Sequence, residues 1–259
     1  MNDANTESSR LKTQNSILRR ASMLAQQGLY DEACEVIREG ERLAPHNPQW
    51  SIRLADIYKA QNRMGAAVEA MQQAVRLDPR NAAIQEQLLR TLLDMGRYDE
   101  VVSISRRLIK QSPKNVFARD ILSLAYFQQG MLDQALRVVD ELILINPTDS
   151  CNYFKKGILL QQKGETASAL DAFIRVLEMD PDGEMAEDAK EAIMNLDDFQ
   201  LRQVLTLAFD DPVFRAKLAL EPECALSEKG FRLSPNGIAT LKQLDLTEFA
   251  SKPHSMLYH

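Results

Sequence analysis

Five of the ten prolines in this 259-residue chain recur at a constant spacing, each the same number of positions after the one before it. They are Pro45, Pro79, Pro113, Pro147 and Pro181. Proline cannot continue a helix because it lacks the backbone amide, so each marks the end of a helical stretch. A fixed interval of about 34 residues is typical of stacked structural units, whereas an irregular helical bundle with coincidental spacing is the alternative. The spacing predicts five units, at 14–47, 48–81, 82–115, 116–149 and 150–183.

Each predicted unit also has a turn near its middle. Residues that tolerate the positive φ of a helix end recur there: Gly28, Gly96, Gly130 and Gly164, with Asn62 in the second unit. Small residues recur on both sides of the turn, which allows two helices to approach closely. In the first helix they are Ala21, Ala55, Ser123 and Gly157, and in the second Ala33, Ala67, Ala135 and Ala169. Each unit is therefore predicted to be a helical hairpin.

This pattern resembles the tetratricopeptide repeat family, whose unit repeats at the same interval. The fifth unit matches the preferred residue types well, with Tyr153, Gly157, Leu160, Ala169, Phe173, Val176 and Pro181. The third unit departs from them at Leu89, Val101 and Ser105. The resemblance covers residues 14–183 and implies an all-α fold, a right-handed α-solenoid of five helical hairpins.

The remaining segments are assigned around these repeats. Residues 1–13 are polar and are predicted to be a disordered N-terminus. Residues 184–197 are predicted to form a capping helix that covers the last hairpin. Residues 198–248 leave the repeat rhythm and are predicted to form a small helical subdomain, followed by a tail at 249–259. About 50 residues are marginal for independent folding, so docking of the subdomain against the repeats is expected.

The C-terminal subdomain has a second, weaker resemblance. Residues 211–244 look like a helical segment in the leader regions of some bacterial modified-peptide precursors and in a small subunit of ring-cleaving dioxygenases. The similarity rests on common packing and capping residues, namely Phe214, Leu218, Pro222, Ala225, Leu226, Gly230 and Leu233. It implies a role as a substrate or accessory protein of a modifying enzyme.

Composition bears on the class of function. The chain has 31 Lys and Arg against 37 Asp and Glu, a formal net charge of -6, which argues against nucleic-acid and anionic-membrane binding. No run of residues is long and apolar enough for a membrane helix. The three cysteines are far apart, which indicates neither a disulfide framework nor a thiolate metal site. We expect a cytoplasmic protein that is not an enzyme and that needs no cofactor or metal.

The resemblance also implies where a partner binds. In this family the first helices line a concave groove, and the corresponding positions in units four and five are apolar and aromatic. They are Phe117, Ile121, Leu124, Phe127, Phe154, Lys155 and Ile158. Units one to three place polar residues at these positions, including Arg53 and Arg90. An exposed apolar strip typically marks a binding site, so a partner helix or extended apolar peptide of another protein is expected in the groove.

One alternative for the groove stays open at the level of sequence. The helices after residue 197 form a marginal subdomain that needs a surface to cover it. They could themselves occupy the apolar strip, which would make the protein an autoinhibited regulator. The sequence does not choose between a free groove and a filled one.

Overall fold

The computed structural model describes residues 2–244, with side chains from residue 12 onward. The predicted tail at 249–259 and residues 245–248 of the predicted subdomain lie outside the described residues. The chain divides into two compact units, Met1–Gln129 and Gly130–His259. The first contains α1 (Asn2–Gln26), α2 (Tyr30–Leu43), α3 (Pro48–Ala60), α4 (Met64–Leu77), α5 (Ala82–Asp94), α6 (Tyr98–Gln111) and α7 (Val116–Gln128). The second contains α8 (Leu132–Ile145), α9 (Ser150–Lys163), α10 (Thr166–Met179), α11 (Ala186–Asp210), α12 (Pro212–Leu220), α13 (Pro222–Glu228) and α14 (Pro235–Gln243).

The proline-containing loops lie where one predicted unit gives way to the next. After four of the five proline-marked stops, a polar side chain caps the following helix by accepting a hydrogen bond from a free backbone amide, whereas α11, after Pro181, has no side-chain cap. The caps are Asn47 for α3, Asn81 for α5, Asn115 for α7 and Asp149 for α9. Such a cap stabilises a helix by about 1 kcal/mol, because the first amides of a helix otherwise lack partners. The loop therefore both ends one helix and starts the next.

The mid-unit turns adopt the left-handed backbone that their sequence predicted. Gly28, Gly96, Gly130 and Gly164 all have positive φ, between 68° and 82°. Asn62 takes the same role in the second unit, with φ of 58°. The interpretation of these five positions as helix-ending turns is confirmed.

Helix α1 begins at Asn2 and so runs through the segment predicted to be a disordered N-terminus. Its second half packs with α2 and α3 around Trp50, which is fully buried. The ring lies against Gly40 of α2, where an added Cβ would be 2.6 Å from a ring carbon. The indole Nε1 donates a hydrogen bond to the carbonyl of Ala44 at 3.0 Å. A glycine in α2 is therefore what makes room for this tryptophan.

The third hairpin, α5 with α6, is the least closely packed of the hairpins in the first unit. Leu89 stands at the helix crossing, where the other units carry a small residue, and it is fully buried. Ser105 is also fully buried, at the position where the family favours an aromatic residue. Its hydroxyl has no hydrogen-bond partner among the described residues. Two of the differences from the family pattern therefore lie in the core, where Leu89 adds a larger side chain and Ser105 a hydroxyl without a partner among the described residues.

In the second unit, α9 and α10 form a closely packed hairpin. Gly157 lies directly against the ring of Phe173, because a Cβ added there would be 2.5 Å from a ring carbon. Helix α11 then packs on α10 through Ala189, Ile193 and Leu196. This covering face agrees with the expected capping role of that segment.

Helix α11 does not stop at the predicted boundary after residue 197. It continues as one helix of 25 residues from Ala186 to Asp210. No glycine or proline lies between Gly183 and Pro212, so nothing in the sequence ends the helix earlier. Its second half belongs to a separate core with α12, α13 and α14, formed by Leu201, Val204, Ala208, Phe214, Leu218, Ala225, Leu226, Leu233 and Leu241. The cap and the C-terminal subdomain therefore share a helix.

Polar contacts fix the loop before α14 to the middle of α11. The buried carboxylate of Asp197 accepts hydrogen bonds from the backbone amide of Ser234, at 2.8 Å, and from its hydroxyl. The side-chain amide of Gln200 pairs with both backbone groups of Arg232, accepting at 3.0 Å and donating at 2.6 Å. The Arg232 guanidinium in turn contacts Asp171 of α10 at 2.7 Å. These contacts attach the C-terminal helices to α11 and to the fifth hairpin.

Candidate partner-binding surface

In the first unit, the first helices of successive hairpins are joined by polar side chains next to the predicted groove residue Arg53. Arg53 of α3 forms an ion pair with Asp56 of the same helix at 3.2 Å. The other oxygen of Asp56 accepts a hydrogen bond from Gln87 of α5 at 3.3 Å. The Nε atom of Arg53 is buried and has no hydrogen-bond partner among the described residues. This part of the surface is polar and internally bonded.

Between α5 and α7, this surface carries an aromatic side chain. The guanidinium of Arg90, on α5, lies over the ring of Phe117, on α7, with 5.1 Å between the guanidinium carbon and the ring centroid. Phe117 is half-buried and packs against the core of the first unit, whereas Arg90 is exposed. A stacked pair of this kind contributes about 0.5–1 kcal/mol at an exposed site. It orders a flat cationic and aromatic element on the surface.

The other apolar positions of α7 differ in exposure. Ile121 is only 7% exposed, because its side chain belongs to the core that runs through α3 to α7. Leu124 is 38% exposed and Phe127 is half-buried. Of the predicted groove residues on α7, a partner can therefore reach Leu124, Phe127 and the outer part of Phe117. The sequence pattern predicted that Ile121 would also be exposed to a partner, which the structure does not show.

In the second unit, the predicted residues lie on α9. Phe154 meets Phe173 of α10 edge-on, with ring centroids 5.5 Å apart. Ile158 is half-buried against the same core, and Lys155 is also half-buried. Phe154 is thus partly committed to holding its own hairpin together. A substitution there changes the fold as well as the surface.

In the described part of the chain, no group of three or more His, Cys, Asp or Glu residues is placed to hold a metal ion. Burial raises the pKa of the Cys34 thiol, and it raises the pKa of the Cys151 thiol as well. Raised pKa values keep both thiols in the less nucleophilic protonated form.

One helix property relates to membranes. Among the residues that the structure describes, no helix combines the length and the apolar character that crossing a bilayer would require.

Comparisons with known proteins agree with the helical hairpins. One sequence model of the tetratricopeptide repeat matches residues 24–90 and 60–123, and another matches residues 122–194. Together they cover the chain from residue 24 to residue 194. The chain belongs to the tetratricopeptide repeat family over this range. The matched range ends before residues 211–244, so the resemblance of that segment to leader regions gains no support.

Solved structures show the same fold. YrrB, described as a TPR protein with an unusual peptide-binding site, is 16% identical, with a TM-score of 0.52 over 74% of this chain and 100% of its own. MamA from Desulfovibrio magneticus RS-1, from residue 41 to the end, is 17% identical, with a TM-score of 0.54 over 68% of this chain and 97% of its own. Another MamA crystal structure is 20% identical, with a TM-score of 0.54 over 68% of this chain and 95% of its own. At these identities the likeness concerns the fold. No curated protein matches the chain in sequence.

Proposed function

We propose that this protein is an interaction scaffold that binds a partner helix or an extended apolar peptide on the surface formed by its first helices. The observation that carries the proposal is the Arg90–Phe117 stack, with the exposed side chain of Leu124 about two helical turns further along α7. A flat, ordered aromatic and cationic element beside an accessible apolar side chain is typical of the centre of a protein interface. Membership of the tetratricopeptide repeat family supports a scaffold role in general.

The bonded side chains of Arg53, Asp56 and Gln87 make one end of this surface polar, whereas the end at α7 is apolar. The surface therefore has two chemically different ends. Apart from the Nε atom of Arg53, the groups of the polar end are already bonded to one another, so a partner gains little by displacing them. The apolar side chains of Leu124 and Phe127 on α7 carry no hydrogen-bonding groups that a partner would have to compensate. We therefore place the main contribution to affinity at α7 and expect the polar end to set orientation.

Two other functions were compatible with the sequence. Autoinhibition by α12–α14 alone, released by moving them off α11, would break the hydrogen bonds of Asp197 and Gln200 and expose the C-terminal core. This cost makes the C-terminal helices a poor displaceable segment. A role as substrate or accessory protein of a modifying enzyme has no specific observation in its favour.

The test uses a substitution at an exposed position together with a matched control. Leu124→Glu places a charge on the proposed surface, and Leu144→Glu places the same charge on α8, at a residue that is 82% exposed. The proteins captured from the source cells by the wild type, by Leu124→Glu and by Leu144→Glu are quantified by mass spectrometry. We expect specific partners to be lost with Leu124→Glu and retained with Leu144→Glu.

Equal capture by all three proteins, each with an unchanged circular dichroism spectrum, would show that the surface is misassigned. Phe154→Glu is unsuitable for this test because Phe154 packs against Phe173. Cutting the chain after Asp197 is unsuitable too, because α11 continues to Asp210.

A further inference from the structure

The first helix of each hairpin has one face that packs on the helix preceding it in the chain. In α3, α5 and α7 this face is buried at corresponding positions, one repeat interval apart. Examples are Ile57, Thr91 and Ala125, each with at most 1% of its surface exposed. Trp50, Ile84 and Ala118 form a second such row, exposed by at most 2%. These rows hold successive hairpins together.

In α1, the first helix that the structure describes, the corresponding residues are exposed. Met23 stands one repeat interval before Ile57 and is 60% exposed. Ser16 and Gln27, on the same side of α1, are exposed, and so is Arg20. We call these four residues the α1 end face. They lie along a surface cleft of about 610 Å³ that Lys12 and Arg19 also line.

The charge of this region is opposite to that of the whole chain. From Lys12 to Gln27 there are three cationic residues, Lys12, Arg19 and Arg20, and no Asp or Glu, although the chain has a net charge of -6. None of the three forms an ion pair within the part of the chain that the structure describes. A basic face that forms no ion pair with described residues and contains a methionine fits an acidic surface that also carries an apolar side chain.

The second unit of the same chain carries such a surface, on α11. Glu187, Glu191, Met194 and Asp198 follow one another at helical spacing of four, three and four residues, so they lie along one side of the helix. All four are exposed, Met194 by 58%, and the neighbouring Phe199 is exposed by 54%. We call these five residues the α11 outer face. Glu191 and Asp198 form no ion pair within the described residues.

We infer that the α11 outer face of one copy of this protein packs on the α1 end face of a second copy. Helix α11 comes directly after α10, the second helix of the fifth hairpin, and so takes the place of the first helix of a further hairpin. On the side that faces α10 it buries Ala189 and Ile193. Its outer side is therefore the surface on which a further first helix would stack. The α1 end face supplies that helix, with Arg20 three residues before Met23 and Glu191 three residues before Met194.

The contact joins two different surfaces, so it is head-to-tail rather than self-complementary. Unless the rotation between copies closes a ring, such contacts build open-ended chains. The contact uses none of Arg90, Phe117 and Leu124, so it is independent of the proposed partner-binding surface. A failure of either proposal leaves the other standing.

Sedimentation velocity of the full chain tests the inference. The wild type is expected to increase in mass above the 29.3 kDa monomer as its concentration rises, past the dimer. Arg20→Glu and Glu191→Lys each place like charges in the contact and are expected to raise the dissociation constant at least about tenfold. The double variant Arg20→Glu with Glu191→Lys recreates an opposite-charge pair and is expected to recover association. Lys114→Glu and Glu69→Lys are the controls, since both residues are exposed and lie outside the two faces.

Several results would overturn the inference. One is a wild type that remains monomeric at every concentration. Another is association that Arg20→Glu leaves unchanged, or that Lys114→Glu weakens as strongly as Arg20→Glu does, since the effect would then follow net charge alone. Circular dichroism confirms that each variant is folded, and Met23→Glu serves as a second α1 variant should Arg20→Glu misfold.

Discussion

The buried carboxylate of Asp197 accepts two hydrogen bonds from Ser234, one from its backbone amide and one from its hydroxyl. The same hydroxyl accepts a hydrogen bond from the amide of Gly237 at 3.1 Å and so caps α14. Gly237 lies so close to Asp197 that an added Cβ would be 2.6 Å from the carboxyl carbon. One acidic residue in the middle of α11 thus sets the position at which the last helix begins.

Removing this carboxylate should destabilise the C-terminal subdomain. In Asp197→Ala the amide and hydroxyl of Ser234 lose their acceptor inside the protein, at a cost of about 2–4 kcal/mol. Urea denaturation followed by circular dichroism measures the loss. Asp198→Ala is the control, since Asp198 is exposed and the change should stay within about 0.5 kcal/mol. Equal stability of the two variants would contradict the role assigned to Asp197.

Gly40→Ala should destabilise the first unit. The new methyl group meets the ring of Trp50, and overpacking of this kind costs about 1–3 kcal/mol. Trp50 is the only tryptophan of the chain, so its fluorescence during denaturation reports on this unit. Gly65→Ala is the control, because nothing lies within 4 Å of the added Cβ there. That helical substitution should stabilise the protein by about 0.5–1 kcal/mol.

Ser105→Ala should stabilise the protein. The Ser105 hydroxyl is buried without a partner in the described residues, so its removal relieves a desolvation cost of about 1 kcal/mol. Ser123→Ala is the comparison, because that hydroxyl donates to the carbonyl of Asp120 at 2.8 Å. We expect thermal unfolding midpoints to rise for Ser105→Ala and not for Ser123→Ala. A fall for Ser105→Ala would mean that the hydroxyl has a partner in solution.

Asn115→Ala should weaken the start of α7. The side chain accepts a hydrogen bond from the amide of Ala118 at 2.8 Å, and its loss costs about 1 kcal/mol. Asn115→Asp retains the acceptor and should unfold at a denaturant concentration close to that of the wild type. If both variants lose the same stability, the cap does not contribute through this bond.

Asp211 should contribute to stability in a pH-dependent way. The backbone amides of Phe214 and Val213 hold the pKa of its carboxyl below the usual value. Because the pKa is lower in the folded state, the contribution is present above the unfolded-state pKa of about 4 and is lost as the pH falls through the folded-state pKa. Asn at this position still caps α12 but carries no charge. The stability difference between the wild type and Asp211→Asn should therefore shrink between pH 7 and pH 3, which thermal unfolding measures.

The repeat architecture could be predicted from the sequence because the residues that end and turn its helices act locally. The helix-ending turn at Gly164 and the one at Asn62 follow from backbone preferences that no distant residue has to supply. The cap that Asn81 provides for α5 is a local signal of the same kind, since Asn81 follows Pro79 by two residues. The break predicted after residue 197 failed because a change in repeat rhythm does not by itself end a helix.

The partner-binding surface was harder to predict from the sequence, because the exposure of a side chain depends on which residues pack against it. Spacing alone predicts that both Ile121 and Leu124 face the groove. In the structure Ile121 is buried in the core shared by α3 to α7, and Leu124 is exposed. The contact of Phe154 with Phe173, and that of Asp197 with the distant Ser234, likewise require the packed helices.

The sequence by itself determined where the helices of the repeats stop and turn, because glycine, asparagine and proline act through their own backbone. It also determined the family, because the same local signals recur at a constant interval. Only the tertiary structure decided which apolar side chains remain open to a partner and how the C-terminal helices are held. Those outcomes depend on contacts between helices that lie far apart in the chain.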